Sequence, residues 1–222
     1  MAKLKKQMIS SDYYLYLDME YFILFLSGII GGLIAGLLGL GGGIFYIIVL
    51  PFVIQWYGIP AEESSAFVVA NSLLGICIAS GSSMITSFQK LKSYFKESLI
   101  IGIPAVIISL LSTYFIVHSN WFSKELFNAF VIFLMIFILI QMIIKLKKPS
   151  QKVLANSKIP LVSGAFGGGI SGFVSALSGL GGGVIIIPLL QIRFKQGIQK
   201  SKLISLFIIF LSSSFLSFQN LI

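Results

Sequence analysis

The apolar positions of this chain do not alternate with polar ones; they run on without interruption. Stretches free of Asp, Glu, Lys and Arg extend over Tyr21 to Ala61, Ser64 to Gln89, Ser98 to Ser123, Leu126 to Gln141, Ile159 to Ile192 and Leu203 to Ile222. Most reach or exceed the roughly 20 residues that carry a helix across a hydrocarbon core of about 30 Å. The pattern predicts an all-α polytopic membrane protein, with spans near Ser64 to Ser87, Ser98 to Val117, Leu126 to Ile144 and Leu203 to Leu221. Two runs, at 21–61 and 159–192, are nearly twice too long for one helix, and both are interrupted by glycines.

The interruptions are alike. "GLLGLGGGIFYIIVLP", Gly36 to Pro51, returns as "ALSGLGGGVIIIPLL", Ala176 to Leu190. With residue 39 laid on residue 179, an offset of 140, Gly28, Gly32 and Leu37 fall on Gly168, Gly172 and Leu177. Downstream, Gly58-Ile59 matches Gly197-Ile198 after a one-residue slip, whereas Pro188 meets Ile48 and the first copy delays its proline to Pro51. A duplicated supersecondary unit of this kind is a common transporter architecture. It divides the chain into a cytoplasmic or interfacial tail at 1–20, a first transmembrane repeat at 21–146, a basic linker at 147–158 and a second repeat at 159–222. The second repeat has one span after its motif where the first has three. A full copy would need on the order of 60 further residues, so a chain that is naturally short or truncated is expected.

The glycines fall into two groups. Gly28, Gly32 and Gly36 recur every four residues, as do Gly168, Gly172 and Ala176, and so line one helical face that a neighbouring helix can approach closely. The triplets Gly41, Gly42, Gly43 and Gly181, Gly182, Gly183 point all around a helix and mark a break. Each costs close to 1 kcal/mol relative to alanine in a helix, and the freed backbone groups are tolerated at membrane depth only against protein or a wet cavity. There, the amides that open the next half-helix turn a positive dipole end towards an anion. Ser178, just before the second break, and Ser175, one turn earlier, are placed to add hydroxyl donors. A nucleotide-phosphate loop is excluded by spacing: no Lys followed by Ser or Thr closes either motif, and Ile44 and Val184 occupy the last glycine position of G-x-G-x-x-G.

Composition agrees with a lipid solvent: 57% hydrophobic, 10% charged, mean hydropathy +1.00. The net charge of +9 does not point to nucleic acid, because its cations cluster between spans: Lys3, Lys5, Lys6; Lys90, Lys92, Lys96; Lys145, Lys147, Lys148, Lys152, Lys158. This is positive-inside bias. Arg193, Lys195, Lys200 and Lys202 strain a simple alternation and leave the orientation of the second half open. Cys77 allows no internal disulfide, His118 stands at a span end, and Glu62 and Glu63 belong to a loop. With no Ser/His/Asp group, no His/Cys cluster and no paired membrane carboxylates, the sequence offers nothing to an enzyme, a metal or another cofactor.

The doubled G-x-G-G-G followed by apolar residues and proline resembles the sulfite exporter TauE/SafE family of membrane transporters, with Gly179 to Leu190 closer to the pattern than Gly39 to Pro51. Family members follow each motif with a Ser-containing helix start, which "VANSLL" (Ser72) and "KLISLF" (Ser205) resemble, the spacing in the first copy being longer. The resemblance implies export or uptake of sulfite, an organosulfonate or a related small anion across a bacterial inner membrane, with a homo-oligomer compatible. A scaffold, an accessory subunit or an inactive truncated copy is the alternative.

Overall fold

A computed structural model describes residues 25–26, 28–33, 41–56, 64–118, 124–147 and 159–219. The tail at 1–20, nearly all of the linker at 147–158 and the loop holding Glu62 and Glu63 lie outside the described residues. Helical backbone at 28–33 precedes α1 (Gly43–Trp56), α2 (Ser64–Thr86), a short α3 (Phe88–Lys92), α4 (Phe95–His118), α5 (Lys124–Lys147), α6 (Leu161–Ser178), α7 (Gly183–Pro188) and α8 (Ile198–Gln219). No strand occurs among the described residues. Among the described residues, four segments are long and apolar enough to cross a membrane: Phe67–Thr86, Phe95–Ile116, Leu161–Ser178 and Ile198–Gln219. This is the all-α, multi-pass architecture expected, with α8 beginning before the charge-free run at Leu203 and taking Lys200 and Lys202 into its first turns.

Helix α2 runs antiparallel to α8. Cys77 Sγ lies 3.1 Å from Ser214 Oγ, while further along α2 a methyl at Gly81 would meet the Phe210 ring. Helix α4 packs on both α8 and α6. Its contact with α6 is backbone on backbone: a Cβ at Gly168 would strike the Ile101 carbonyl, and one at Gly172 the Ala105 carbonyl. With lipid tails as apolar as leucine, such close van der Waals approach is what holds membrane helices together. The four-residue glycine face is thus used in the second copy. In the first, Gly28 and Gly32 meet no described atom within 4 Å, because no described helix does for this segment what α4 does for α6.

Two buried clusters knit the helices. One joins Leu91, Ile101, Ile186, Leu190, Ile204 and Ile208 around the starts of α4 and α8; the other joins Ile47, Val68, Phe127, Leu134, Val174 and Val184. Outward residues such as Ile78, Ile85, Phe133 and Phe166 are exposed, the arrangement of a surface solvated by lipid.

The structure resolves the orientation that counting left open. Lys200 Nζ is 2.6 Å from Glu97 Oε2 and 5.1 Å from the Tyr94 ring centroid. The start of α8 therefore lies beside the start of α4, and the basic groups around Lys92 and Arg193 share one face. Alternation had strained because α7 does not continue across the membrane: Leu189 of its continuation returns alongside Gly167 of α6.

Two outcomes follow from this packing. Gly172→Val should lower stability by about 1–3 kcal/mol, the cost of overpacking, whereas Gly169→Ala, whose methyl would sit 3.6 Å from Ile108 Cγ1, should leave unfolding in detergent unchanged. Cysteines replacing Lys92 and Arg193 in a Cys77→Ser background should react with a membrane-impermeant maleimide from the same side of oriented vesicles.

Candidate functional site

The glycine triplets turn the chain through backbone that side chains other than glycine's rarely adopt. Gly41 and Gly42 have φ of 71° and 75°; Gly181 and Gly182 both have 71°. Substituting these positions strains the left-handed turn whatever space surrounds it. After each turn a helix starts in the same way. The Gly42 carbonyl accepts from the Phe45 and Tyr46 amides at 3.0 and 3.2 Å, and the Gly182 carbonyl from those of Ile185 and Ile186 at 3.1 and 3.3 Å. The amides of Gly43 and Ile44, and of Gly183 and Val184, precede the first acceptor of their own helices.

The two breaks abut. A Cβ on Gly43 would lie 2.8 Å from both Cα and the carbonyl oxygen of Leu180. They also share neighbours: a methyl on Gly41 would meet Ile209 Cγ2 at 2.8 Å and Ile76 Cγ2 at 2.9 Å, and one on Gly181 would meet the same atoms at 2.9 and 3.0 Å. Ile76 stands at the middle of the 23-residue α2, and Ile209 at the middle of the 22-residue α8. The breaks therefore sit at half the depth of two full spans. From there α1 rises about 21 Å, and α7 with its π-turn Leu189–Arg193 about 16 Å, at 1.5 Å per residue. Pro188 has no amide to donate, and the ladder beyond it widens so that the Phe194 amide reaches the Leu189 carbonyl at 3.3 Å.

The serines singled out from sequence take different places. The Ser72 hydroxyl lies 2.9 Å from the Val69 carbonyl and 3.0 Å from the Gly179 carbonyl, so it ties α2 to the second break. Ser205 is buried on α8 with its Oγ 3.0 Å from where a Gly183 methyl would stand. Ser72 and Ser205 are separated by 133 residues, as are Ile76 and Ile209. The extra seven residues of the first copy are taken up by a longer α1 and a longer connection to α2. The Ser178 hydroxyl donates to the Val174 carbonyl at 2.6 Å and accepts the Leu180 amide at 3.2 Å, which shapes the turn and commits its proton. Ser175 is fully buried, its carbonyl accepting the Gly179 amide at 2.9 Å while its Oγ has no hydrogen-bond partner.

Ser171 was not singled out, yet its hydroxyl donates to the Gly182 carbonyl at 3.1 Å. The signal was present: Ser171, Ser175 and Ser178 are spaced four and three apart, one face of α6. Ile76 and Ile209 carry no chemical signal, and only the fold makes them neighbours of the glycines. All six triplet glycines are buried. Among the described residues, no group of three His, Cys, Asp or Glu side chains could hold a metal.

Ser72→Ala, which strips the second break of an interhelical donor, should cost about 1 kcal/mol and speed hydrogen exchange at 179–183. Ser72→Thr should retain protection.

A family model described as Sulfite exporter TauE/SafE matches residues 24–220. The chain is 31% identical over 196 residues to a Probable membrane transporter protein of Methanocaldococcus jannaschii, covering 86% of this chain and 68% of that one. It is 27% identical over 214 residues to the Probable membrane transporter protein YunE of Bacillus subtilis, covering 88% and 76%. A similar protein of Haemophilus influenzae, also named Probable membrane transporter protein, is 26% identical over 179 residues, covering 79% and 66%. The chain thus spans about two thirds to three quarters of these relatives' lengths. No solved structure matches it.

Proposed function

The chain belongs to the sulfite exporter TauE/SafE family of membrane transporters, and from that premise we propose that it is a permease for a small anion, bound between the two glycine breaks. Sulfite, an organosulfonate or a related sulfur compound is the substrate class the family description favours. The observation that carries this reading is the pairing of the breaks: two left-handed glycine turns, abutting at half the depth of α2 and α8 and closed by the same two isoleucines.

The donors are the amides that open α1 and α7, at Gly41, Gly42, Gly43, Gly181, Gly182 and Gly183, with the hydroxyl of Ser175 and, once they leave their present partners, those of Ser72, Ser205 and Ser178. Ser175 is the best placed to turn to a ligand, since its buried hydroxyl has no partner to give up. On this reading the two halves act as inverted repeats, which is supported by α1 leading to the start of α2 and α7 to the start of α8 in an antiparallel pair. Rocking one half against the other would expose the breaks to each face in turn. No lipid-embedded acid takes part, and the protein works in the plasma membrane, the inner one in a bacterium.

The test is flux in proteoliposomes. Sulfite, thiosulfate or a small sulfonate should move through the wild-type protein, and Gly42→Leu or Gly182→Leu should abolish that movement while leaving inserted protein. Undiminished flux in both variants would sink the broken-helix site; a wild type that moves no anion would favour a scaffold.

A further inference from the structure

We propose that Ile76 and Ile209 form a paired apolar gate, which must part before an anion reaches the glycine breaks and whose bulk limits the size of the anion admitted. The inference rests on the permease reading above and adds the element that closes and sizes the site.

Both side chains are fully buried. Each γ2 methyl touches both breaks, and a methyl on Gly43 would stand 2.7 Å from Ile76 Cδ1, as one on Gly183 would crowd Ile209 Cδ1. The pair is therefore shared: neither isoleucine belongs to one break alone, and an anion at any of the four positions 41, 43, 181 and 183 would collide with one or both.

The flanking residues give such a gate its sense. Four residues before and after each isoleucine, on the same helical face, stand serines: Ser72 and Ser80 on α2, Ser205 and Ser213 on α8, all fully buried. The Ser80 hydroxyl donates to the Ile76 carbonyl at 2.6 Å, and that of Ser213 to the Phe210 carbonyl at 3.3 Å. Moving the isoleucines aside would uncover hydroxyls above and below rather than more hydrocarbon.

The chemistry of isoleucine sets how the gate opens. A β-branched side chain in a helix is held in one χ1 rotamer about 90% of the time, so its methyls do not swing clear on their own. The gate opens when α2 and α8 themselves move apart, which couples access to the rocking of the two halves.

The test measures size selectivity in proteoliposomes, as the ratio of flux of a bulky sulfonate to that of sulfite. Ile76→Val and Ile209→Val remove only the δ methyl and should fold; Ile76→Ala with Ile209→Ala removes the gate. The ratio should rise with each deletion, reaching about tenfold, the discrimination that one or two carbons provide in an apolar site. Ile208→Val serves as the control, because Ile208 is equally buried but faces Gly102 of α4. Wild-type ratios in the valine variants, or an equal rise in the control, would overturn the gate while leaving the permease intact. A wild type that moves neither anion would overturn both readings.

Discussion

A peptide group in hydrocarbon has no water to turn to, and every feature at the centre of this protein follows from that constraint. A helix broken at mid-depth must hand its freed amides and carbonyls to other protein groups. Here the second break is held from two helices: Ser72 of α2 at the Gly179 carbonyl, Ser171 of α6 at the Gly182 carbonyl. Ser178 closes the remaining turn through the Leu180 amide. The isoleucines then cover what the hydroxyls have satisfied. Each of these partners is itself on a full helix, so the break is as rigid as the spans around it.

The same constraint explains how much could be read from the residues alone. Charge-free runs and their lengths gave the spans, because crossing lipid demands an unbroken apolar stretch whatever the packing. Consecutive glycines gave the breaks, since no helical face accommodates three in a row. What escaped was relational. The start of α8 could not be found from hydropathy, because its first turns carry Lys200, which lies beside Glu97, and Lys202. Ile76 and Ile209 are ordinary apolar residues until the fold sets both against Gly41 and Gly181. Ser171 was legible in principle, from its spacing with Ser175 and Ser178, but a serine in a membrane helix ordinarily bonds its own backbone.

The two glycine turns are alike in backbone and unlike in their neighbours. Where α6 carries Ser171, Ser175 and Ser178, the first copy has Gly31, Ala35 and Leu38. In place of a hydroxyl, Gly31 leaves room for the ring of Tyr46, which also fills the space beside Gly75. The corresponding residues in the second copy are Ile186 and Ile208. The second break takes hydrogen bonds from Ser171 and Ser178 of the helix before it, while in the first copy the Tyr46 ring is seated against Gly31 and Gly75.

The ion pair between the starts of α4 and α8 bears on the same packing. Lys200 sits in the first turn of α8, where the helix dipole disfavours a cation, and Glu97 sits in the first turn of α4, where it favours an anion. Their contact offsets the unfavourable placement of Lys200, and the Tyr94 ring adds to it. On the proposed permease reading, a rocking motion that parts α4 from α8 at this face would separate these charges. Both side chains are only about one fifth exposed or less, so each would then be left half-desolvated unless water or another ion entered between them.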